Sequence, residues 1–203
     1  MVGSQQTYGG RVPSQCSVAS TEESMHIHKL TAADIRTQAL PDLCELLRDA
    51  VTGGASVGWV SVPSMREASA YWHGVADQVQ SGAVVMLVAQ ESPQLIGTVQ
   101  LHLSGRPNGA HRAEVARLLV HSRARRRGVG AALMAAIEEE ASPHGVSLLV
   151  LDTRAGDPSQ QLYEKIGYTL AGTIPHYARG TTGALEPTAI MYKEIKRIGH
   201  HAT

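Results

Sequence analysis

The chain has 203 residues and 21.6 kDa, with 43% hydrophobic and 18% charged residues, the composition of one folded domain and not of a disordered chain. Lys plus Arg and Asp plus Glu number 18 each, so the formal net charge is zero, which argues against a general nucleic-acid binder with its basic excess. No apolar run reaches the roughly 18 residues of a membrane span, the N-terminus has no signal-peptide pattern, and Cys16 and Cys44 build neither a disulfide framework nor a zinc pattern. These features lead to the expectation of a soluble cytoplasmic protein. Phenylalanine is absent, so Leu, Val, Ile, Ala and Met must fill the core.

Residues 1–24, rich in Gly, Ser, Gln and Thr, read as a flexible leader, and 196–203 as a flexible tail. Between them, 25–195 is expected to form the domain. It opens with a short alternating strand from His26 to Leu30. Leu43, Leu46, Leu47 and Ala50 predict a helix over 42–51 that stops at Gly53-Gly54. Ser64-Met65-Arg66-Glu67 is a capping box that opens a second helix, with Met65, Ala68, Trp72, Val75 and Val79 along one face. Val84–Ala89 and Leu95–Leu103 read as a hairpin, and Ala113–Val120 as a further strand. A helix over 129–141 follows, then a continuous apolar run at Ser147–Leu151, the mark of a buried parallel strand. Asp157-Pro158-Ser159-Gln160 predicts the N-terminus of a short helix that ends at Gly167. Tyr168–Gly172 and Ala189–Lys193 are the last strands. The order predicts a single α/β domain with a central mixed, twisted sheet of about seven strands and about four helices.

The most informative segment joins the strand ending at Val120 to the helix at Val129. Its turn reads Arg125-Arg126-Arg127-Gly128-Val129-Gly130. Backbone N–H groups at a helix N-terminus, with the helix dipole behind them, favour an anion. Glycines at 128 and 130 let the backbone approach a pyrophosphate, and the arginines add charge-assisted hydrogen bonds. Neither a Walker A sequence nor GxGxxG is present.

This turn resembles the Arg/Gln-x-x-Gly-x-Gly/Ala motif of the GNAT superfamily of N-acetyltransferases, and Leu162-Tyr163-Glu164-Lys165-Ile166-Gly167-Tyr168 is similar to the family's later Leu-Tyr-x-x-x-Gly-Phe/Tyr motif. Arg126 departs from the glycine found in many members. A narrower resemblance, to the tabtoxin-resistance acetyltransferases, rests on Gly53–Trp59, Arg106–Gly109, Arg112–Val115, Leu151–Thr153 and Pro187–Ile190. Members of that group acetylate a small amino-acid-like toxin.

The resemblance implies that acetyl-CoA lies where strands 114–120 and 147–152 splay apart. Its pyrophosphate would sit on Arg125, Arg126, Arg127, Gly128, Val129, Gly130 and Ala131, and its pantetheine arm along Leu118, Leu119 and Val120. A free N–H at Val120 would serve the carbonyl oxygen. Glu114 and Asp152, carboxylates in otherwise apolar strands, are candidate bases. Read structurally, Glu114 pairs with Arg112 or Arg117, and Asp152 caps the turn at Thr153. Tyr163 is implied as the acid toward the leaving sulfur, and Ser56, Val57 and Trp59 as acceptor-side residues.

The ten histidines show no metal-ligand spacing, so no metal is expected; Cys44 and the Tyr71-Trp72 stripe read as core. The leading expectation is transfer of acetyl from acetyl-CoA to the amine of a small molecule, a toxin or antibiotic among them, by direct attack in a ternary complex. The alternatives are a protein or peptide N-acetyltransferase and a non-catalytic CoA-binding domain. Neither nucleic acid nor membrane is expected as a partner, and the chain is expected as a monomer or homodimer.

Overall fold

The computed structural model describes residues 24–55 and 57–196. The expected leader, apart from Ser24, and the expected tail, apart from Lys196, lie outside the described residues, as does Ser56. The elements run β1 (His26–Lys29), α1 (Ala32–Arg36), α2 (Leu40–Thr52), α3 (Met65–Gln80), β2 (Val84–Glu91), β3 (Gln94–Leu103), β4 (Arg112–Val120), α4 (Val129–Ala141), β5 (Leu148–Arg154), α5 (Pro158–Lys165), β6 (Thr169–Arg179) and β7 (Leu185–Glu194). They form one seven-stranded sheet in the order β1-β2-β3-β4-β5-β7-β6. Among its described pairings only β4 with β5 is parallel.

Each face of the sheet carries its own core. On one, α4 and α5 pack through Leu133, Met134, Ile137 and Tyr163 onto Leu87, Val99, Leu101, Val115 and Leu149. On the other, Ile35, Leu43, Leu47, Trp72 and Val75 of α1–α3 pack onto Met86, Val88 and Leu119. Burial on both faces explains why Val84–Ala89 is a continuous apolar run and not an alternating one. Trp72 is fully buried with its indole N–H donating to Leu43 O at 2.9 Å, and Cys44 is likewise core, its thiol pushed up by burial.

Three elements differ from the sequence reading. Helix α1 is a single turn opened by a Thr31/Asp34 capping box, too short to show a period. Helix α2 starts at Leu40, two residues earlier, because Pro41 suits a first helical turn. The final hairpin is also longer. All of β6 except Ala178 is exposed, so its ends carry little apolar pattern. At α5 the expected boundary holds but the cap does not. Asp157 makes no cap hydrogen bond and lies 3.5 Å from Arg154, while Gln160 accepts from Gly156 N–H at 2.8 Å.

What positions the site is a bulge in β4. The register passes from Gln100↔Ala116 to Thr98↔Leu119, so β4 spends one residue more than β3. Arg117, at φ +53°, absorbs it in the left-handed region. Side-chain parity therefore flips: Ala113 and Val115 face the α4 core, yet Leu119 packs against α2 and α3.

Candidate active site

Strands β4 and β5 pair over three residues, Arg112↔Leu148, Ala113↔Leu149 and Glu114↔Val150, and then separate. Beyond that point β4 bonds only to β3. His121 N–H donates to Ile96 O at 2.9 Å. Successive amides of a strand point to opposite edges, which turns Val120 N–H toward the opening. Leu118 and Val120 present half-buried side chains to the α4 side, where Gly130 meets them: a Cβ there would lie 3.7 Å from Val120 and 3.3 Å from Leu162. Leu119 turns its side chain into the other core and offers the opening only its backbone.

The turn at 125–131 enters α4 through Gly128, whose φ of +83° favours glycine. The first intrahelical bond runs from Ala132 N–H to Gly128 O, and no side chain caps the helix. The amides of Val129, Gly130 and Ala131 therefore precede the ladder as unpaired donors. Arg125 is tied back by its Nε to Val120 O at 3.1 Å and lies 3.8 Å from Asp49. Arg127 departs from expectation: its guanidinium forms a two-pronged pair with Glu91, which withdraws it from an anion at the turn. Asp49 braces the turn from α2 by accepting from Ser122 N–H and Oγ at 2.8 and 2.7 Å. Burial pushes its carboxyl up, but Ser122, His121 and Arg125 outweigh that and hold it below the ordinary range.

Arg126, the departure from glycine, has φ +62°. An L side chain there costs about 1–2 kcal/mol, part of which glycine would return as unfolded-state freedom. Arg126→Gly should thus stabilise the fold by about 0.5–1 kcal/mol, read as a rise in thermal midpoint. A lowered midpoint would show that the arginine side chain contributes more than its backbone costs.

On the opposite side of β4 lies a cleft of about 380 Å³ between α3 and β3–β4, lined by Tyr71, Gln100, His102, Glu114, Ala116 and Arg117, among others. Glu114 is exposed there and forms no ion pair with a described residue, so neither Arg112 nor Arg117 neutralises it. Its cross-strand partner is His102. Burial holds the His102 imidazole below the usual histidine range, with Glu114 pulling it up and Arg117 pushing it down. His102 Nε2 meets Gln100 Oε1 at 3.0 Å. That oxygen only accepts, so Nε2 carries the proton.

Asp152 does not line this cleft. It stands exposed on β5, close enough to Tyr163 for its charge to act on the phenol. No hydrogen bond ties it to Thr153, whose hydroxyl instead meets Ser159 Oγ at 2.7 Å. Tyr163 is 7% exposed, and its hydroxyl bonds to no described residue. Burial, with Asp152 second, pushes that hydroxyl up to about 12. Its ring tilts against Tyr168 at 5.8 Å.

Val57 and Trp59 are half-buried and pack against the α2–α3 cluster. Before them in the chain, Gly54 O accepts from Arg154 of β5 at 3.0 Å. Sequence reasoning placed Tyr71 in the core, named Arg117 only as a possible ion-pair partner of Glu114, and gave no role to Gln100 or His102. All four line the cleft: Gln100 and His102 as alternate residues of β3, Arg117 through the bulge in β4, and Tyr71 from the facing side of α3. Among the described residues no group of three His, Cys, Asp or Glu side chains gathers as a metal site, and no helix is long and apolar enough to cross a membrane.

Comparison with known proteins agrees with this fold. A family model described as the acetyltransferase (GNAT) family matches residues 38–168. An uncharacterized N-acetyltransferase from the hisH–hisA intergenic region of Azospirillum brasilense is 34% identical over 122 residues, 59% of this chain and 71% of that protein. Among solved structures, ribosomal-protein-alanine N-acetyltransferase from Brucella melitensis has a TM-score of 0.70 at 23% identity, covering 84% of this chain and 99% of its own. A phosphinothricin acetyltransferase from Sinorhizobium meliloti, solved in complex with AcCoA, has a TM-score of 0.68 at 20% identity, covering 88% and 92%. The chain belongs to the GNAT family of acetyltransferases.

Proposed function

We propose that the protein transfers an acetyl group from acetyl-CoA to the amine of a small molecule, a toxin or antibiotic that acetylation disarms. One observation carries this reading: β4 parts from β5 beyond Glu114, with the uncapped N-terminus of α4 following the strand and the cleft that Glu114 lines beside it. The turn fits a pyrophosphate. A Cβ at Gly128 would meet nothing within 4 Å, so the approach to the free amides is open. Arg125, Arg126 and the amides of Arg127 through Ala131 would hold the phosphates, and the backbone of Leu118–Val120 the pantetheine arm.

Acetyl-CoA brings the thioester carbonyl and the sulfur leaving group. The chain's own residues supply the rest: Val120 N–H donates to the carbonyl oxygen, a carboxylate takes the amine proton, and Tyr163 returns a proton to the sulfur. Glu114 is the better placed base, because it lines the cleft and no cation neutralises it. The 53–59 segment, with Ser56, Val57 and Trp59, would border the acceptor. The cleft volume suits a small molecule more than a peptide. The phosphinothricin acetyltransferase and the resemblance to the tabtoxin-resistance group favour the same acceptor class.

Acetyl-CoA at about 100 times its Kd should stabilise the protein by about 2.7 kcal/mol in thermal unfolding. Gly128→Val should abolish that shift, since a β-branched residue cannot hold φ +83° and the amides would be re-aimed. A folded Gly128→Val protein with an undiminished shift would remove the turn from the binding site. Thiol release with a panel of amine acceptors then tests the reaction itself.

A further inference from the structure

We propose that Arg117 reads an oxyanion on the acceptor, so that the protein acetylates amines that also carry a carboxylate-class group and discriminates against simple amines and polyamines. This rests on the acetyltransferase reading above and adds the acceptor chemistry.

Arg117 is the residue that takes the bulge in β4, at φ +53°. Glycine would sit there without strain, whereas an arginine is held at a backbone cost. Its side chain is fixed on two sides. Nε donates to Tyr71 Oη at 3.0 Å and the guanidinium lies over the Tyr71 ring, 5.9 Å from its centre. On the other side Gly58 closes in, for a Cβ there would lie 3.4 Å from Nη2. A guanidinium so held is preorganised, and its Nη groups remain as spare donors.

Two other arginines are taken up by carboxylates: Arg154 pairs with Glu186 at 2.6 Å and Asp157 at 3.5 Å, and Arg127 pairs with Glu91. Arg117, half-buried, has no carboxylate within 4.0 Å among the described residues. Glu114 lines the same cleft and is also unpaired. The cleft thus offers one anion and one cation that do not neutralise each other, the complement of a zwitterion. The amine meets Glu114, and the oxyanion takes two parallel hydrogen bonds from Arg117.

The test uses the full chain, acetyl-CoA and a thiol-release assay. The acceptors are aliphatic and aromatic α-amino acids, each beside its carboxamide, its decarboxylated amine and its aminophosphonate. The expected result is a preference of about 10²-fold in kcat/KM for the anionic member over its neutral partners, carried by KM. The carboxylate and phosphonate arms identify which oxyanion fits. Arg117→Gly, which suits the left-handed backbone, should bring that ratio toward one, with the melting temperature not lowered and the acetyl-CoA shift unchanged. Arg117→Lys should restore part of the preference.

Equal turnover of neutral and anionic acceptors, or a preference that survives in Arg117→Gly, overturns the proposal while leaving the acetyltransferase reading intact. Stabilisation by acetyl-CoA without transfer to any member of the panel overturns the acceptor assignment. Absence of both stabilisation and transfer overturns the functional reading and this inference with it.

Discussion

Tyr163→Phe should lower kcat by about 10²–10⁴-fold and leave the acetyl-CoA thermal shift unchanged. The substitution removes one oxygen from a side chain 7% exposed and keeps the ring that packs against Tyr168. The hydroxyl bonds to no described residue, so its loss orphans no partner and the fold should not weaken. Burial and the Asp152 charge push the phenol up to about 12, so it is protonated at every pH at which the protein would be assayed. That is the state a proton donor to a departing thiolate must hold. The loss should appear in kcat with KM for acetyl-CoA steady, because the proton moves only as the bond to sulfur breaks. A Tyr163→Phe protein with full kcat would leave Tyr163 as packing alone.

Much of this arrangement was legible from residue order. The boundaries of α4 at Val129 and Ala141 follow from Gly128, the apolar spacing and Pro143. The Ser64 capping box fixes the start of α3. Local chemistry decides such ends, so local sequence reveals them. The bulge at Arg117 is different, since Leu118-Leu119-Val120 reads as one apolar run whichever way each side chain turns. Only the register against β3 decides that Leu119 enters the α2–α3 core while Leu118 and Val120 face α4. Residues recruited by tertiary pairing were hidden for the same reason. His102 faces Glu114, and Tyr71 meets Arg117, across strand and helix contacts that sequence spacing does not encode. Arg127 is the converse: its place in the motif suggested a phosphate ligand, and Glu91, on the neighbouring hairpin, claims its guanidinium.

Glu114→Gln should reduce kcat by about 10²–10⁴-fold at neutral pH and remove the acidic limb of the pH–rate profile, whereas Asp152→Asn should retain that limb. An aliphatic ammonium has an unperturbed pKa near 10, so at neutral pH nearly all of the acceptor arrives protonated. The amine must lose that proton to attack, and the group that takes it must itself be unprotonated. Activity therefore falls as pH drops through the pKa of the base, and a glutamine at 114 has nothing to titrate. Geometry separates the two carboxylates: Glu114 lines the cleft, while Asp152 acts on the Tyr163 phenol from β5. Replacing Asp152 removes only the lesser of the two influences that keep Tyr163 protonated, so its effect on kcat should be smaller. His102 is the control within the same cleft. Burial keeps it neutral, and with Glu114 replaced it loses the charge that pulls its pKa upward. An acidic limb that persists in Glu114→Gln but moves to lower pH would therefore identify His102 as the proton acceptor. A limb that persists there and vanishes in Asp152→Asn would move the base to β5, and the cleft would then serve only to hold the acceptor.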